Sequence, residues 1–423
     1  MLVAIYALSA ALRTSDARAC SVSGAQMISA VCPQFAPDGA RLALGSMPPD
    51  ILCRADREHE WVEISIVSAV TGQLECTLGP FWCPMFAWAR DARRLMILES
   101  GSSHERLMST DLSIACALSG TVLRSDTLGT EPTYPDPDCF SPCGRYALLR
   151  EWDESRMVCS KARVIDTASR LSVWQLDLPD VHDRLNTWRH AWHPHDSVMA
   201  FFDHAAFAAK VVSLADGVTL VNLGLEPAVQ RMATGPQLPA CRVNVDSVLY
   251  MGAVLLCTLS RPCWRHCSPD YAVAAIDADS QQVSVTYLVR PDGYWKLQCA
   301  PTASLFAVSV IEDFSGPVVR CSIYDAETLR VCFTTVADMP KGAFRAWQAA
   351  WAPDSRWVIL YLYGTAVERV PVVCATTWQT TAWIDIDAST GGFVSGVRWC
   401  PDGCSVLLHF SESHRVQIFR FVS

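Results

Sequence analysis

The chain has 423 residues, 51% of them hydrophobic and 18% charged, with a formal net charge of −9. Such a chain can bury a large core, and an acidic balance without any basic stripe excludes a partner held by nucleic-acid phosphates. No apolar run reaches the roughly 20 residues that a membrane-spanning helix needs, so no membrane span is expected and the mature chain is read as soluble.

The first predicted element is an apolar run, Leu2 to Leu12, followed by Ala17-Arg18-Ala19 before Cys20. Residues 1–27 are read as an N-terminal segment. It either packs as a strand or short helix on the last structural unit, or is a signal-like run that lacks the usual positive charge ahead of its apolar core.

A short phrase then recurs: aromatic, small residue, Pro, polar residue, small residue, apolar strand. It reads Phe35-Ala36-Pro37-Asp38-Gly39, Phe140-Ser141-Pro142-Cys143-Gly144, Trp351-Ala352-Pro353-Asp354-Ser355 and Trp399-Cys400-Pro401-Asp402-Gly403. Looser copies begin at Trp88 and Trp192. From Phe35 the aromatic recurs after 53, 52 and 52 residues; Cys299-Ala300-Pro301 precedes Trp351 by 52, and Trp399 follows 48 later. One supersecondary unit copied around the chain is the physical reading of a fixed period. Between Trp192 and Cys299 lie 107 residues, room for two units with one anchor displaced. Either Val243-Asn244-Val245-Asp246 fills the gap in register, or Cys267-Ser268-Pro269-Asp270 fills it out of register.

Within each unit the phrase is a β-turn in which Pro presets φ and Asp or Gly accepts the remaining positions. A second strand follows, such as Arg94 to Leu98 or Val358 to Leu362. A third strand alternates β-branched residues, as in Glu63 to Val67 or Arg320 to Tyr324. It runs into a second turn, Ala69-Val70-Thr71-Gly72 or Leu214-Ala215-Asp216-Gly217. A fourth strand, such as Leu171 to Leu176, completes the unit. Four short strands per repeat are the cue for a propeller blade, and no long stretch holds a helical period.

The phrase and its strand, together with third-strand endings such as Val164-Ile165-Asp166-Thr167 and Tyr324-Asp325-Ala326, resemble the WD-repeat or TolB-like β-propeller superfamily over roughly Ile28 to Phe421. The resemblance implies an all-β fold, a single closed propeller of four-stranded blades over residues 28–423. Repeat arithmetic gives eight blades, or seven if Gly224 to Pro301 forms one, with both termini completing the last. The Gly-His dipeptide of that family is missing, and no third strand ends in Trp-Asp; Trp152-Asp153 is placed in a loop after a second strand. The buried hydrogen-bond network of a standard WD repeat is therefore not expected.

Nineteen cysteines at irregular positions read as small buried apolar residues with reduced thiols, hence an intracellular, cytoplasmic setting, with secretion through an atypical signal as the alternative. His190, His193, His195 and His204 could hold a metal only if a turn brought them together. Cys263-Trp264-Arg265-His266-Cys267 lacks a second ligand pair. Gly392-Phe393-Val394-Ser395-Gly396 has the wrong spacing for a nucleophile elbow. The pair Asp385 and Asp387 is read as a solvated strand edge. Neither a catalytic nor a metal site is assigned, and no cofactor is expected.

The expected function is a non-catalytic protein-interaction scaffold with one or more protein partners, the alternative being a propeller enzyme or small-ligand binder at the central channel. The anchor aromatics are assigned to the core. Trp152, among charges in Arg150 to Ser155, is the one partner-binding candidate. Ser46 to Glu60, Ser119 to Asp138 and Gly224 to Ala240 are read as the longest recognition loops.

Overall fold

The computed structural model of the chain describes residues 18–21, 33–46, 61–82, 84–100, 110–129, 139–153, 158–177, 190–193, 198–203, 208–224, 244–251, 254–261, 270–277, 283–288, 295–311, 318–338, 346–363, 368–386, 393–410 and 416–421. Among these residues the regular structure is entirely β, and no helix is long and apolar enough to cross a membrane. After β1 (Arg18–Ser21), the first sheet contains β2 (Gln34–Phe35), β3 (Arg41–Ser46), β4 (Trp61–Ser68) and β5 (Leu74–Trp82). The second contains β6 (Met85–Trp88), β7 (Arg94–Ser100), β8 (Thr110–Cys116) and β9 (Thr121–Gly129). The third has β10 (Tyr146–Asp153), β11 (Val158–Asp166) and β12 (Ser172–Asp177), with an isolated bridge Phe140–Ala147 in place of an inner strand.

The fourth sheet is β13 (His190–Trp192), β14 (Val198–Asp203), β15 (Ala208–Ser213) and β16 (Thr219–Gly224). The fifth is β17 (Asn244–Met251), β18 (Val254–Arg261), β19 (Asp270–Asp277) and β20 (Val283–Leu288). The sixth is β21 (Trp295–Cys299), β22 (Leu305–Ile311), β23 (Val318–Asp325) and β24 (Val331–Asp338). The seventh is β25 (Ala346–Trp351), β26 (Trp357–Tyr363), β27 (Arg369–Cys374) and β28 (Thr380–Asp385). The closing sheet takes β29 (Val394–Trp399), β30 (Ser405–Phe410) and β31 (Val416–Arg420) from one end of the chain and β1 from the other. All pairings are antiparallel, and β1 runs along β31 from Arg18 opposite Arg420 to Ser21 opposite Gln417. Arg18 to Cys20, beside the cleavage-like sequence, thus belong to a sheet.

The displaced anchor is resolved in register: Asn244–Met251 is the first strand of its sheet, whereas Asp270 opens its third strand and Cys267 to Pro269 lie outside the described residues. Two sequence expectations need correction. Trp152 and Asp153 are the last residues of β10, not part of a loop, because pairing with β11 continues past a register shift between Glu151 and Trp152. Ser119 to Asp138 is not one long loop, because the β-propensity run Thr121–Gly129 pairs with β8 as an outer strand.

The order of packing follows from burial on both faces. Leu42 and Leu44 of β3 point into a cluster with Leu407, Val416 and Ile418 of the closing sheet. Ala43 between them joins the core shared with Trp88, Leu95 and Ile97 of the second sheet. A strand sandwiched this way reads as an unbroken apolar run, not as alternation. Similar clusters join the second sheet to the third, the third to the fourth, the fifth to the sixth, the sixth to the seventh and the seventh to the closing sheet. Strands β13 and β14 meet β17 between the fourth and fifth. The sheets therefore form a closed ring with cores between sheets and no single central one.

Cysteine serves these cores. Eleven cysteines among the described residues are free thiols. Cys257 and Cys321 are fully buried strand residues, and loss of water pushes their thiols up to about 12 and about 11.

Two predictions follow from these contacts. Gly144 has φ +69°, and a Cβ there would lie 2.7 Å from the Trp88 carbonyl oxygen of the neighbouring sheet; Gly403 has the same φ, and its nearest neighbour would be 4.0 Å away. Gly144→Ala should therefore lower the urea midpoint more than Gly403→Ala, whose cost is only the backbone strain of about 1–2 kcal/mol. Equal losses would mean that the sheets do not approach as described. In the second, Cys257 and Cys321 stay neutral in the fold while ionising in the unfolded chain above their ordinary value of 9.0. Raised acids stabilise the fold below that value, so stability should fall as pH rises from 9 towards 11–12, by about 1.4 kcal/mol per pH unit for each thiol. Denaturant melts across that window should lose this slope in the Cys257→Ala/Cys321→Ala variant.

Candidate functional site

The recurring phrase builds one face of the ring. In the first sheet the Gly39 N–H donates to the Ala36 carbonyl at 2.8 Å, and Ala36 N–H donates to Arg41 at 2.9 Å. The same pair of bonds closes the turns at Ala89, Ser141, Ala352 and Cys400. The phrase's aspartates cap these turns: Asp38 accepts from Ala40 N–H at 2.9 Å, Asp354 from Arg356 N–H at 3.0 Å and Asp402 from Cys404 N–H at 2.8 Å. This capping is why Asp suits the position after Pro. The turn between third and fourth strands lies on the same face, since Ala69 N–H donates to Ala40 and Ala375 N–H to Arg356.

Each anchor aromatic packs against the preceding sheet, and three also bond to it. The indole N–H of Trp88 donates to the Gln34 carbonyl at 3.0 Å, that of Trp351 to Gln298 at 3.3 Å and that of Trp399 to Ala350 at 2.9 Å. The acceptor always stands one residue before the neighbouring anchor position. Two of these acceptor residues reach back: Gln34 Nε2 donates to the Phe86 carbonyl at 2.8 Å, and Gln298 Oε1 accepts from Ala349 N–H at 2.6 Å. These glutamines were missed in the sequence; their shared offset from the anchor is the signal that would have found them.

Inside the ring of phrases lies a cavity of about 640 Å³ to which six sheets contribute. Pro142, Pro301, Pro353 and Pro401, the prolines of four phrases, form its rim. Phe35, Phe140 and Trp351 form its walls, and Arg398 enters from β29. Val397 and Trp399 are buried against the seventh sheet, so strand alternation turns Arg398 the other way, into the open. Its main chain pairs with Leu407 in the sheet, but its guanidinium makes no hydrogen bond or ion pair among the described residues. A second cavity, of about 670 Å³, opens between the second and third sheets beside Asp91, Arg94, Cys143 and Tyr146. There Arg94 bonds Asp91 at 2.7 Å. Partial burial pushes Asp91 up, but the N–H groups of Arg93 and Arg94 and the Arg94 guanidinium outweigh it and hold the carboxyl below its usual range.

The other sequence candidates are dispersed. Around Trp152, Glu151 is buried in ion pairs with Lys161 at 3.5 Å and Arg163 at 3.2 Å, so part of that charge cluster is internal to the third sheet. His190 Nδ1 lies 3.4 Å from Arg150, and His193 is in the turn after β13. His195, His204 and Cys263 to Cys267 lie outside the described residues, among which no three His, Cys, Asp or Glu side chains are grouped to hold a metal. Ser395, set aside on spacing, bonds His409 at Nδ1 (2.8 Å) and at the main-chain oxygen (3.1 Å) across the register shift of β29 and β30. Asp385 is exposed on outer strand β28, beside Trp383, over which Arg369 stacks at 4.2 Å; Asp387 lies outside the described residues. Residues 47–60 and 225–240, read from the sequence as recognition loops, also lie outside them.

No protein-family model matches the chain, and no curated protein matches it in sequence. Solved structures do. A eukaryotic initiation factor is similar over 96% of this chain and 86% of its own, with 11% identity and a TM-score of 0.52. The dihydro-heme d1 dehydrogenase NirN, in complex with DHE, is similar over 94% of this chain and 76% of its own, with 11% identity and a TM-score of 0.54. The Myceliophteria thermophila Cps50 (Swd1) β-propeller domain is similar over 95% and 98%, with 13% identity and a TM-score of 0.47. At these identities the likeness is one of fold alone. The chain is an all-β propeller built mostly of four-stranded sheets, the fold that its repeats imply.

Proposed function

We propose that the chain is a non-catalytic protein-interaction scaffold acting inside the cell, a ring of eight blades that receives protein partners at the mouth of its channel. The count of eight rests on β17–β20 as a sheet separate from its neighbours. The observation that carries the functional reading is the commitment of the mouth's acidic groups. The carboxylates of Asp38, Asp354 and Asp402, in the turns around the cavity, are occupied in capping main-chain N–H groups, and the cavity itself is lined by prolines, aromatic rings, Gln34, Ser141 and one guanidinium. Such a surface suits recognition more than proton transfer, which needs a titratable group in reach of the reacting atom. Trp152, at the far end of β10 from the turn face, is a second candidate contact. The abundance of free thiols used as core residues supports the intracellular setting.

A dehydrogenase shares the fold, so the fold does not decide between scaffold and enzyme. The observation on the enzyme side is the contact of Ser395 with His409 on the innermost strands. Because the same hydroxyl also bonds the His409 carbonyl, the scaffold reading treats it as a brace across the register shift. Purification from the native cell, with mass spectrometry of co-eluting proteins and of the chain's own N-terminus, tests the proposal together with fluorophosphonate labelling. Stoichiometric protein partners, an intact Met1 region and an unlabelled Ser395 are expected. A chain recovered alone, or one labelled at Ser395, would favour the channel enzyme.

A further inference from the structure

The position one residue before each anchor repeats around the ring: Gln34, Ala87, Cys139, Ala191, Gln298, Ala350 and Arg398. Six of these seven are small residues or glutamines; Gln34 and Gln298 bond the next sheet at Phe86 and Ala349, and the Ala350 carbonyl takes the neighbouring indole. Arg398 alone carries a charge there, and it is exposed. Among the arginines of these turns, Arg41 lies 3.9 Å from Asp38 and 2.7 Å from Glu75, Arg94 lies 2.7 Å from Asp91, Arg145 lies 3.3 Å from Asp166 and Arg356 lies 3.8 Å from Asp354, while exposed Arg90 and Arg93 stand outside this cavity. Arg398 is the one cation lining the cavity among the described residues, and its guanidinium has no partner among them; aromatic rings, prolines, Gln34 and Ser141 surround it.

We propose that this mouth binds a peptide segment carrying one carboxylate within an apolar stretch, with Arg398 gripping the carboxylate and Phe35, Phe140 and the rim prolines holding the apolar part. The proposal rests on the scaffold reading and gives its partner a chemistry. A guanidinium matches a carboxylate in two parallel hydrogen bonds and is more weakly hydrated than an ammonium, so an exposed arginine can still give a carboxylate a directed contact. One cation fits one carboxylate; a phosphoryl group of nearly two charges is met by arginine clusters, and exposed Asp402 beside Pro401 disfavours it further. The carboxylate can come from an Asp or Glu side chain or from a chain terminus.

The test is fluorescence anisotropy with four rhodamine-labelled pentapeptides and the full chain. One, Leu-Pro-Leu-Phe-Leu, ends in a free carboxylate; a second, Leu-Pro-Asp-Phe-Leu, is amidated; a third replaces Asp by Asn, and a fourth by phosphoserine. One of the first two should bind, naming the source, and the neutral Asn peptide should bind about tenfold or more weakly, as loss of a charged hydrogen bond implies. Arg398→Gln should reduce the carboxylate peptide to the level of the neutral one and leave the neutral one unchanged, while Arg398→Lys recovers part. An unaltered near-ultraviolet spectrum checks the fold of each variant. Failure of both carboxylate peptides to bind, indifference to Arg398→Gln, or preference for the phosphopeptide overturns the proposal. Native partners retained equally by the wild type and Arg398→Gln would leave the scaffold standing while removing this mouth from it; no partners with either would remove the scaffold itself.

Discussion

The structure depends on how one sheet clasps the next. A single four-stranded sheet cannot bury two apolar faces, and here each face finds the following or preceding sheet. The anchor aromatic fixes the approach, inserting its ring between the sheets while its indole N–H satisfies a carbonyl on the neighbour's inner strand, as Trp399 does with Ala350. Bonding across the boundary gives the contact a direction and a register that hydrophobic burial alone does not supply. Closure then follows from the strand β1 lying along β31, which leaves each sheet with a neighbour on both sides.

Because the clasp sets the sheets, the turns can vary in chemistry. The last residue of the third strand caps the turn that follows. Asp166 does so with a carboxylate accepting from Ala168 and Ser169 N–H, and Ser68 with a hydroxyl accepting from Val70 and Thr71 N–H. Cys116 occupies the same place with a thiol, which the hydroxyl of Ser119 and the N–H groups of Leu118 and Ser119 hold below its ordinary range. The left-handed residue of these turns is equally free: Gly72 and Gly120 where strain is avoided, Leu329 and Trp378 where a half-buried side chain packed on the core offsets it. A repeat held together this way tolerates the loss of a fixed sequence, which is why no Gly-His or Trp-Asp pair is needed.

This explains what could be read in the sequence and what could not. The phrase from Phe35 to Gly39 and its copies placed the turns, the second strands and the buried anchors, because Pro, Asp and Gly are required there by backbone geometry. The fifth sheet was harder, since residues 252–253 alone separate its first two strands and carry no phrase. The charged neighbours of Trp152 read as a solvated loop, whereas Glu151 is buried between Lys161 and Arg163 in the third sheet. Arg398 was visible as a charge next to an anchor on an inner strand, but its lack of a partner among the described residues emerges only when Arg41, Arg94 and Arg356 are seen paired. Gln34 and Gln298 share an offset from their anchors, but its meaning emerges only when their bonds across the sheet boundary align them.

The clasp is tested most directly by hydrogen exchange of the tryptophan indole N–H groups, followed by NMR in the intact chain. The indoles of Trp88, Trp351 and Trp399 bond across sheet boundaries, whereas Trp383 is 46% exposed on an outer strand. The account predicts that the first three exchange only through opening of the ring, with a free energy approaching that of global unfolding, while Trp383 exchanges freely. Exchange of all four at similar, fast rates would contradict it.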